Sequence, residues 1–352
     1  MTGLRSLVLC LLTGVLCHAS AAWRTDSLPD WPVMGVPVIN HAPETDWVFG
    51  AAVQGWFRLS GQERTSWVQL DGAWSVKNQW YINTSGTIFC GRKTAWQIAW
   101  NLGYRDYPDT WFPRGNAPQP KDGLSYSSRR WRAGVQPLYR LPRHWAVGPE
   151  IACLFERTSV SPEVAYMAVG LVVQYDSRDV LFYPRHGLLF KLTAADWESL
   201  NAAFSRAGVV KADLRHFIPL PADMVLAWQF RTEWTFGASV PFQLLPALGG
   251  QDLLRGVRTG MFRDNALWAL QGEWRFPLWS ILRGAVFAGA GDVYQFGNWN
   301  WEVPKVGYGI GLRLCINRAK VNVRFDLARS NIRREWNTWE SYSFYLTATE
   351  AF

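Results

Sequence analysis

The sequence predicts an all-β protein, a transmembrane antiparallel β-barrel of sixteen strands, and three observations lead to that fold class. Many segments of about 10–13 residues alternate apolar and polar side chains, which is the period of a strand with two different faces. The chain carries 22 Trp, 19 Phe and 12 Tyr, and aromatic girdles at both membrane interfaces are a feature of such barrels. Beyond the N-terminal segment, no uncharged apolar run reaches the roughly 20 residues that a membrane-spanning helix needs.

Residues 1–21 read as a cleaved secretory signal peptide. Arg5 supplies a positive charge, and an apolar run from Ser6 to Cys17 follows it. Small residues at Ala19 and Ala21 suit the −3 and −1 positions of a cleavage site. We therefore expect residues 22–352 to form one barrel domain in the outer membrane of a Gram-negative bacterium.

The alternation assigns a face to each side chain. In Lys320–Ala328, one face carries Val323 and Phe325, and the other carries Arg324 and Asp326. Strands of this length cross a bilayer at a tilt. An open sheet edge cannot persist in hydrocarbon, so the sheet must close, with apolar faces toward lipid and polar faces toward the lumen.

The lengths of the connections agree with this count. With both chain ends on the periplasmic side, the even-numbered connections include the short segments 59–62, 139–143 and 219–222. The odd-numbered ones include the long segments 106–124 and 237–263, and the second of these is the sixth outer loop. Short periplasmic turns and longer outer loops are typical of outer-membrane barrels.

The charge pattern argues against nucleic acid as a partner. The net charge is +8, but the basic residues are scattered singly or in pairs through the strand-like segments. A charged lumen, or loops that face anionic headgroups, fits better, and we expect outer-membrane lipids including lipopolysaccharide as partners. The odd number of mature cysteines, Cys90, Cys153 and Cys315, argues against a disulfide framework, and their spacing predicts no metal site or cofactor.

Three segments carry a resemblance to a known family. Residues 170–179 read GLVVQYDSRD, and PRHG follows at 184–187. This pattern resembles a strand–turn–strand of the BamA/TamA superfamily of assembly and translocation barrels, also called bacterial surface antigens. Acidic and basic side chains can fix a periplasmic turn through ion pairs and backbone hydrogen bonds, while Pro and Gly set its geometry. The predicted turn motif is Tyr175, Asp176, Arg178, Asp179, Pro184 and Gly187.

The second segment, residues 248–264, reads LGGQDLLRGVRTGMFRD and is similar to the family's Arg-Gly dipeptide in the sixth loop. The resemblance implies that this loop folds into the lumen, where Arg255 meets acidic residues of the wall. Gly256 would allow the tight turn that presents Arg255, and a buried Arg needs a carboxylate partner. By position that carboxylate is Glu273, so Arg255, Gly256 and Glu273 form the predicted sixth-loop lock.

The family pattern also implies a second acid, on strand thirteen. The chain has Gly289 at that position, and Asp292 lies on the opposite face of the strand. The pair of acids in the family pattern is thus Glu273 on strand twelve and an acid on strand thirteen that this chain lacks. We therefore expect the lock to take one acid from this pair rather than two.

The third segment joins residues 306–313 to 323–328 and resembles the family's final hairpin before the closing strand. The closing strand, predicted over 341–352, ends in an aromatic residue. Phe344, Leu346 and Phe352 would share its outward face and form the C-terminal signal that assembly machinery reads.

The resemblance covers roughly residues 165–352 and implies a helper in the insertion, translocation or scaffolding of outer-membrane or surface components. Client barrels or surface lipoproteins are the possible partners. Only residues 22–32 precede the first strand, so we expect a POTRA-less branch, with no POTRA-mediated contacts in cis. The alternative is a passive channel or a structural surface antigen. No Ser is positioned beside a His for catalysis, so no enzyme is predicted and no catalytic residue is assigned.

Overall fold

The computed structural model describes residues 33–42, 46–59, 62, 64–107, 109–181, 183–201, 205–279, 281–297, 304–315, 322–332, 342–347 and 352. The predicted signal peptide, residues 1–21, lies outside this range, so its cleavage stays a prediction.

Sixteen antiparallel strands form a closed barrel, which confirms the predicted fold class. Each strand pairs with its neighbours in the ring, and the last pairs with the first. The strands are β1 Val33–Ala42, β2 Asp46–Phe57, β3 Ser66–Ser75, β4 Trp80–Cys90, β5 Trp96–Asp106, β6 Ser128–Arg140, β7 Trp145–Thr158, β8 Val164–Asp176, β9 Gly187–Ser199, β10 Ala207–Leu220, β11 Met224–Phe236, β12 Ala266–Trp279, β13 Leu282–Tyr294, β14 Lys305–Cys315, β15 Asn322–Ser330 and β16 Tyr342–Thr347.

The strand faces follow the alternation in the sequence. On β8, Met167, Val169 and Leu171 point outward and are 47%, 65% and 53% exposed, whereas Ala168 and Val172 point inward and are buried. The same parity turns the Gln, Glu and Arg side chains of β11 and β12 toward the lumen. Because the outward side chains are apolar along the middle of the strands, the outer surface suits hydrocarbon.

The two ends of the barrel differ. At one end, which we call the turn end, short connections such as 141–144 and 221–223 join the strands. At the other, the loop end, the long connections 107–127 and 237–265 emerge. Two single turns of 3-10 helix, Arg92–Thr94 and Pro120–Asp122, complete the regular structure. Within the described ranges, no helix is long and apolar enough to span a membrane.

The sixth loop, residues 237–265 between β11 and β12, folds into the lumen. Its short strands Ala247–Leu248 and Phe262–Arg263 pair with each other. The loop forms an apolar core with the walls of β12 and β13 and with Phe112 of the β5–β6 connection. Its other members are Leu248, Leu253, Leu254, Val257, Met261, Phe262, Leu267, Ala269 and Val293. This core fills the lumen beside β12 and β13.

A hairpin in the connection between β5 and β6 holds the sixth loop from the loop end. It pairs Asp109–Trp111 with Leu124–Tyr126. Gly115 N donates to the Arg263 carbonyl oxygen at 2.8 Å, and the Tyr126 ring packs edge-on against Phe242 at 5.9 Å. Burial, reinforced by the nearby Asp109 carboxylate, raises the pKa of Tyr126 to about 12, so its phenol stays neutral. The two loops therefore form one packed unit.

The first and last strands, β1 and β16, close the ring at a junction that we call the seam. Among the described residues, its register pairs are Ile39 with Leu346, Asn40 with Tyr345, and His41 with Phe344. A side chain supplements the seam, because Leu346 N donates to Asn40 Oδ1 at 3.1 Å.

Candidate functional site

The sixth loop carries Arg255 to the lumen wall, where its guanidinium meets two carboxylates. Arg255 Nη2 lies 2.7 Å from Glu273 Oε2 on β12, and Nη1 donates to Asp326 Oδ2 on β15 at 2.6 Å. All three side chains are at most 1% exposed. A charge this deeply buried is tolerated only when it is paired, so the two carboxylates determine where the loop tip can dock.

Three wall arginines share the same two carboxylates. Arg313 on β14 spans both, 3.0 Å from Glu273 Oε2 and 2.6 Å from Asp326 Oδ1. Arg275 Nε donates to Glu273 Oε1 at 2.8 Å, and Arg324 Nε lies 3.4 Å from Asp326 Oδ2. We call these four arginines and two acids the arginine–carboxylate cluster. It contains two more positive than negative charges.

The wall around Arg255 is shaped to receive the loop. The Arg255 guanidinium carbon lies over the Phe287 ring of β13, 3.4 Å from the ring centre, in a cation–π contact. Small residues flank this contact. A Cβ at Gly289 would lie 3.0 Å from the Leu254 side chain, and one at Gly307 would overlap the Arg255 carbonyl oxygen.

Of the two positions that sequence analysis considered, only Glu273 supplies an acid to Arg255, as expected, but a second carboxylate from outside that pair also meets it. The second is Asp326 on β15, a strand that sequence analysis did not connect with the loop. Gly289, in the position where the resemblance placed an acid, instead makes room for Leu254. Asp292, on the opposite face of β13, pairs with Lys305 at 3.2 Å, away from Arg255.

Gly256 permits the turn that presents Arg255. Its φ is +90°, a conformation that costs a side chain strain. A Cβ there would also lie 2.6 Å from the backbone carbon and oxygen of Arg329 on β15. The loop tip therefore touches the wall directly at this residue.

We expect Gly256→Ala to loosen the docked loop without changing any charge. The strain and the clash with Arg329 together are of the order of 1–3 kcal/mol, so loop cleavage by added protease should accelerate about tenfold or more. Gly272→Ala is the control, because a Cβ there meets nothing nearer than the Ala227 oxygen at 3.9 Å. Equal cleavage of the two variants would show that Gly256 does not govern docking.

The predicted turn motif forms a self-contained unit at the turn end. Arg178 donates two hydrogen bonds of 2.9 Å to the Asp176 carboxylate, from Nε and Nη2. The Asp179 carboxylate accepts from the Arg185 backbone N–H at 2.9 Å. Gly187 has φ +107°, and a Cβ there would overlap the Ser177 carbonyl oxygen. These contacts fix the chain direction between β8 and β9.

The rest of the turn motif joins neighbouring turns. Tyr175 packs edge-on against Trp145 at 5.2 Å, Pro184 is buried, and Arg185 forms an ion pair with Asp223 of the β10–β11 turn. Arg283 of β13 pairs with the same carboxylate. Two connections at the turn end and the start of β13 are thus bridged by charge.

The three residues of the predicted C-terminal signal lie in two places. Phe344 and Leu346 belong to the outward face of β16, where Phe344 packs edge-on against Phe325 at 4.5 Å. Phe352 was expected on the same face, and that expectation is wrong. Its side chain is inside the lumen, 4% exposed, in a cluster with Phe217, Val225 and Ala227. The alternation of Phe344 and Leu346 would put Phe352 outward, so the terminal side chain lies on the opposite side of the wall from the face that this alternation assigns.

The terminal ring lies next to the arginine–carboxylate cluster. The Arg275 guanidinium is 6.0 Å from the Phe352 ring centre and 5.7 Å from that of Phe217. The same guanidinium donates to Glu273, which also holds Arg255. One charged network therefore connects the last residue of the chain with the sixth loop.

Sequence reasoning did not identify Asp326, Arg313, Arg275 or Arg324 as partners of the loop. Alternation placed Asp326 and Arg324 on the lumen face, and that signal was available. Which lumen side chains meet depends on the stagger of the strands around the barrel and on the path of the loop. Among the described residues, no group of His, Cys, Asp and Glu is arranged to hold a metal ion.

Comparison with known proteins identifies relatives of this barrel. A family model described as the Omp85 superfamily domain matches residues 125–352. The structure of BamA from Haemophilus ducreyi lacking POTRA domains 1–3 is similar with a TM-score of 0.58 and 15% identity, over 89% of this chain and 69% of that one. No curated protein sequence matches the chain.

Two CdiB structures are also similar. CdiB from Acinetobacter baumannii has a TM-score of 0.60 and 12% identity, over 90% of this chain and 59% of that one. CdiB from Escherichia coli has a TM-score of 0.57 and 13% identity, over 91% of this chain and 63% of that one. This chain therefore spans about three fifths of each CdiB chain, and at these identities the likeness shows the fold.

Proposed function

The chain belongs to the Omp85 superfamily of outer-membrane barrels, and from that premise we propose that it assists the insertion, translocation or scaffolding of outer-membrane or surface components. Its seam would be the site of that action. The clients would be barrel proteins or surface lipoproteins. Outer-membrane lipids, including lipopolysaccharide, would surround its apolar face.

The observation that carries this proposal is that the first and last strands close the barrel, since no turn or loop joins β1 to β16 directly. Among the described residues they are register partners at Ile39–Leu346, Asn40–Tyr345 and His41–Phe344, and the Asn40 side chain accepts a hydrogen bond from Leu346 N. A strand edge with free N–H and C=O groups can pair with a strand of another chain. Because β1 and β16 lie at opposite ends of the barrel sequence, their separation stretches no connecting turn, so the seam is where a client strand would be added at least cost.

The sixth loop supports action at the seam rather than passage through an open pore. Its apolar core fills the lumen beside β12 and β13, and Arg255 anchors it by two buried ion pairs. The docked loop braces the wall formed by β12–β15, directly next to β16. A rigid wall on one side of the seam would let β1 move without collapse of the barrel.

A disulfide across the seam tests the proposal. Asn40 and Tyr345 are register partners, so Asn40→Cys combined with Tyr345→Cys should lock β1 to β16 on oxidation. The native protein is depleted in its host, the locked variant replaces it, and mass spectrometry quantifies the outer-membrane proteome. We expect a selective loss of a set of barrels or surface lipoproteins, which reductant reverses.

The matched control places the same disulfide away from the seam. Val172 and Thr193 are register partners on β8 and β9, and both are buried toward the lumen. The control pair should leave the proteome unchanged. An unchanged proteome on depletion itself would contradict the biogenesis role and favour the channel or surface-antigen alternative, which large and steady openings in planar bilayers would then support.

A further inference from the structure

A second feature of the lumen is a cavity of about 660 Å³ between the sixth loop and the wall opposite the arginine–carboxylate cluster. Its lining runs from β1 and β2 through β5 and β6 to β10 and β11, and Asn40 and Tyr345 extend it to the seam. Cavities that hold small ligands are usually about 300–1,000 Å³. The cavity is therefore of the size of a ligand site and is bounded by the docked loop.

The lining of this cavity is strongly basic. Its carboxylates are Asp71, Asp109 and Glu233. Its cations come from both walls and from the sixth loop, and they are Arg105, Arg130, Arg132, Lys211, Arg231 and Arg263. Twice as many cations as carboxylates line this one cavity, which concentrates the positive potential there.

Pairing within the protein leaves part of this charge uncompensated. Glu233 is shared by Arg231 at 2.5 Å and Lys211 at 3.6 Å. Arg132, on the lumen face of β6, is exposed to the cavity. Among the described residues, Arg132 makes no ion pair within 4.0 Å and no hydrogen bond.

No carboxylate of the lining forms an ion pair with Arg132 within 4.0 Å among the described residues. The Asp71 carboxylate accepts from the side-chain amides of Gln69 at 3.0 Å and Asn83 at 3.1 Å, on β3 and β4. Glu233 and Glu150 attract Arg132 across more than 4.0 Å, and Glu150 accepts from the side-chain amide of Gln136 at 3.0 Å. The Arg132 guanidinium therefore presents its N–H groups to the cavity without an ion pair or a hydrogen bond among the described residues.

We infer that this cavity binds an anion bearing a phosphate group, with Arg132 and Lys211 as its principal ligands. A guanidinium matches two phosphate oxygens at once, and a lysine beside it adds a point charge. Tyr81, Tyr104 and Trp197 in the lining offer apolar or aromatic contact for the rest of the ligand. The phosphate could belong to a lipid headgroup, which the seam side of the cavity would admit, or to a free phosphate compound. This inference does not depend on the proposed function.

Binding is measured on the purified, folded barrel in a neutral maltoside detergent, with two probes. Calorimetry with inorganic phosphate and with pyrophosphate tests free phosphate compounds. Native mass spectrometry with phosphatidylglycerol, compared with uncharged diacylglycerol, tests the headgroup. We expect the wild-type protein to bind in at least one arm, and Arg132→Gln to bind about tenfold more weakly in that arm.

The control is Arg129→Gln, three residues before Arg132 on β6. Arg129 is 69% exposed, pairs with Asp106 at 3.1 Å and does not line the cavity, so this change should leave binding unaltered. Lys211→Gln is a second test variant if Arg132→Gln fails to fold, as judged by the gel mobility of unheated samples. Binding of inorganic phosphate or pyrophosphate alone would identify the ligand as a free phosphate compound. Binding of phosphatidylglycerol alone would identify it as a lipid headgroup. No binding in either arm, or equal weakening by Arg129→Gln, would overturn the inference.

Discussion

The Arg255→Ala variant should assemble as a barrel but release its sixth loop. Arg255 forms two of the ion pairs in the arginine–carboxylate cluster and contributes nothing to the strand ladder. Its removal leaves Glu273 and Asp326 still bridged by Arg313, so neither acid is stranded. The excess of positive charge in the cluster even falls from two to one. The substitution therefore weakens the docking of the loop and leaves the ion pairs of the wall in place.

The expected size of this effect is large. Removal of one partner from a buried ion pair typically costs about 3–5 kcal/mol. The Arg313 bridge reduces this cost for the wall, but the loop loses its anchor completely. If opening is fast relative to cleavage, the cleavage rate follows the open population, and a loss of about 3 kcal/mol raises that rate about 100-fold.

Limited proteolysis of intact cells or proteoliposomes measures loop release, with gel mobility of unheated samples as the check on barrel folding. Arg255→Lys keeps the positive charge but loses the two-pronged guanidinium, so its rate of loop cleavage should lie between those of the wild type and Arg255→Ala. Arg157→Ala removes an exposed ion pair with Glu163 at the loop end and should change little. Unchanged loop cleavage together with an unchanged client proteome would refute the role of Arg255.

The Glu273→Gln variant should instead destabilise the barrel itself. Glu273 is the shared partner of Arg255, Arg275 and Arg313, at distances of 2.7, 2.8 and 3.0 Å. The neutral amide would leave four buried arginines around Asp326 alone, so the excess positive charge rises from two to three. Uncompensated buried charge is among the most destabilising changes, and we expect a loss of about 3–5 kcal/mol in the free energy of unfolding.

A urea titration of the folded and unfolded gel forms measures this loss. Glu273→Gln combined with Arg275→Gln removes one charge of each sign and should recover part of the stability, although the contact of Arg275 with the Phe352 ring is also lost. Gln271→Ala is a further comparison on the same face of β12, because it removes hydrogen bonds of 2.7 and 3.0 Å but no charge. If Glu273→Gln unfolds at the same urea concentration as wild type, the cluster does not hold the wall together.

The arginine–carboxylate cluster shows which contacts local sequence patterns can predict and which they cannot. The Arg-Gly dipeptide at 255–256 and the position of Glu273 on strand twelve were enough to predict that these residues act together. The contact with Asp326 was not predictable in the same way, because β12 and β15 are separated by two strands and the loop tip bridges them. The sequence of a hairpin predicts which residues of two adjacent strands are register partners. It does not predict which side chains approach each other across the lumen.

Phe352 shows the same limit at the chain end. Alternation placed it on the outward face with Phe344 and Leu346, which is correct for a strand that continues to the terminus. In the folded barrel its ring is buried against Phe217 and lies near the Arg275 guanidinium. The gain from burial of an aromatic ring in the lumen depends on residues far away in sequence, so a local pattern could not reveal it.

The sequence by itself determined the strand number, the face of each strand and the difference between short turns and long loops. These properties follow from the direction of successive side chains along an extended backbone and from the need to close a sheet in lipid. The tertiary structure alone decided which lumen charges pair, where the terminal ring lies, and that a basic cavity remains beside the docked loop. Those features depend on strand stagger, closure and loop path, which set distances across the lumen that no local periodicity encodes.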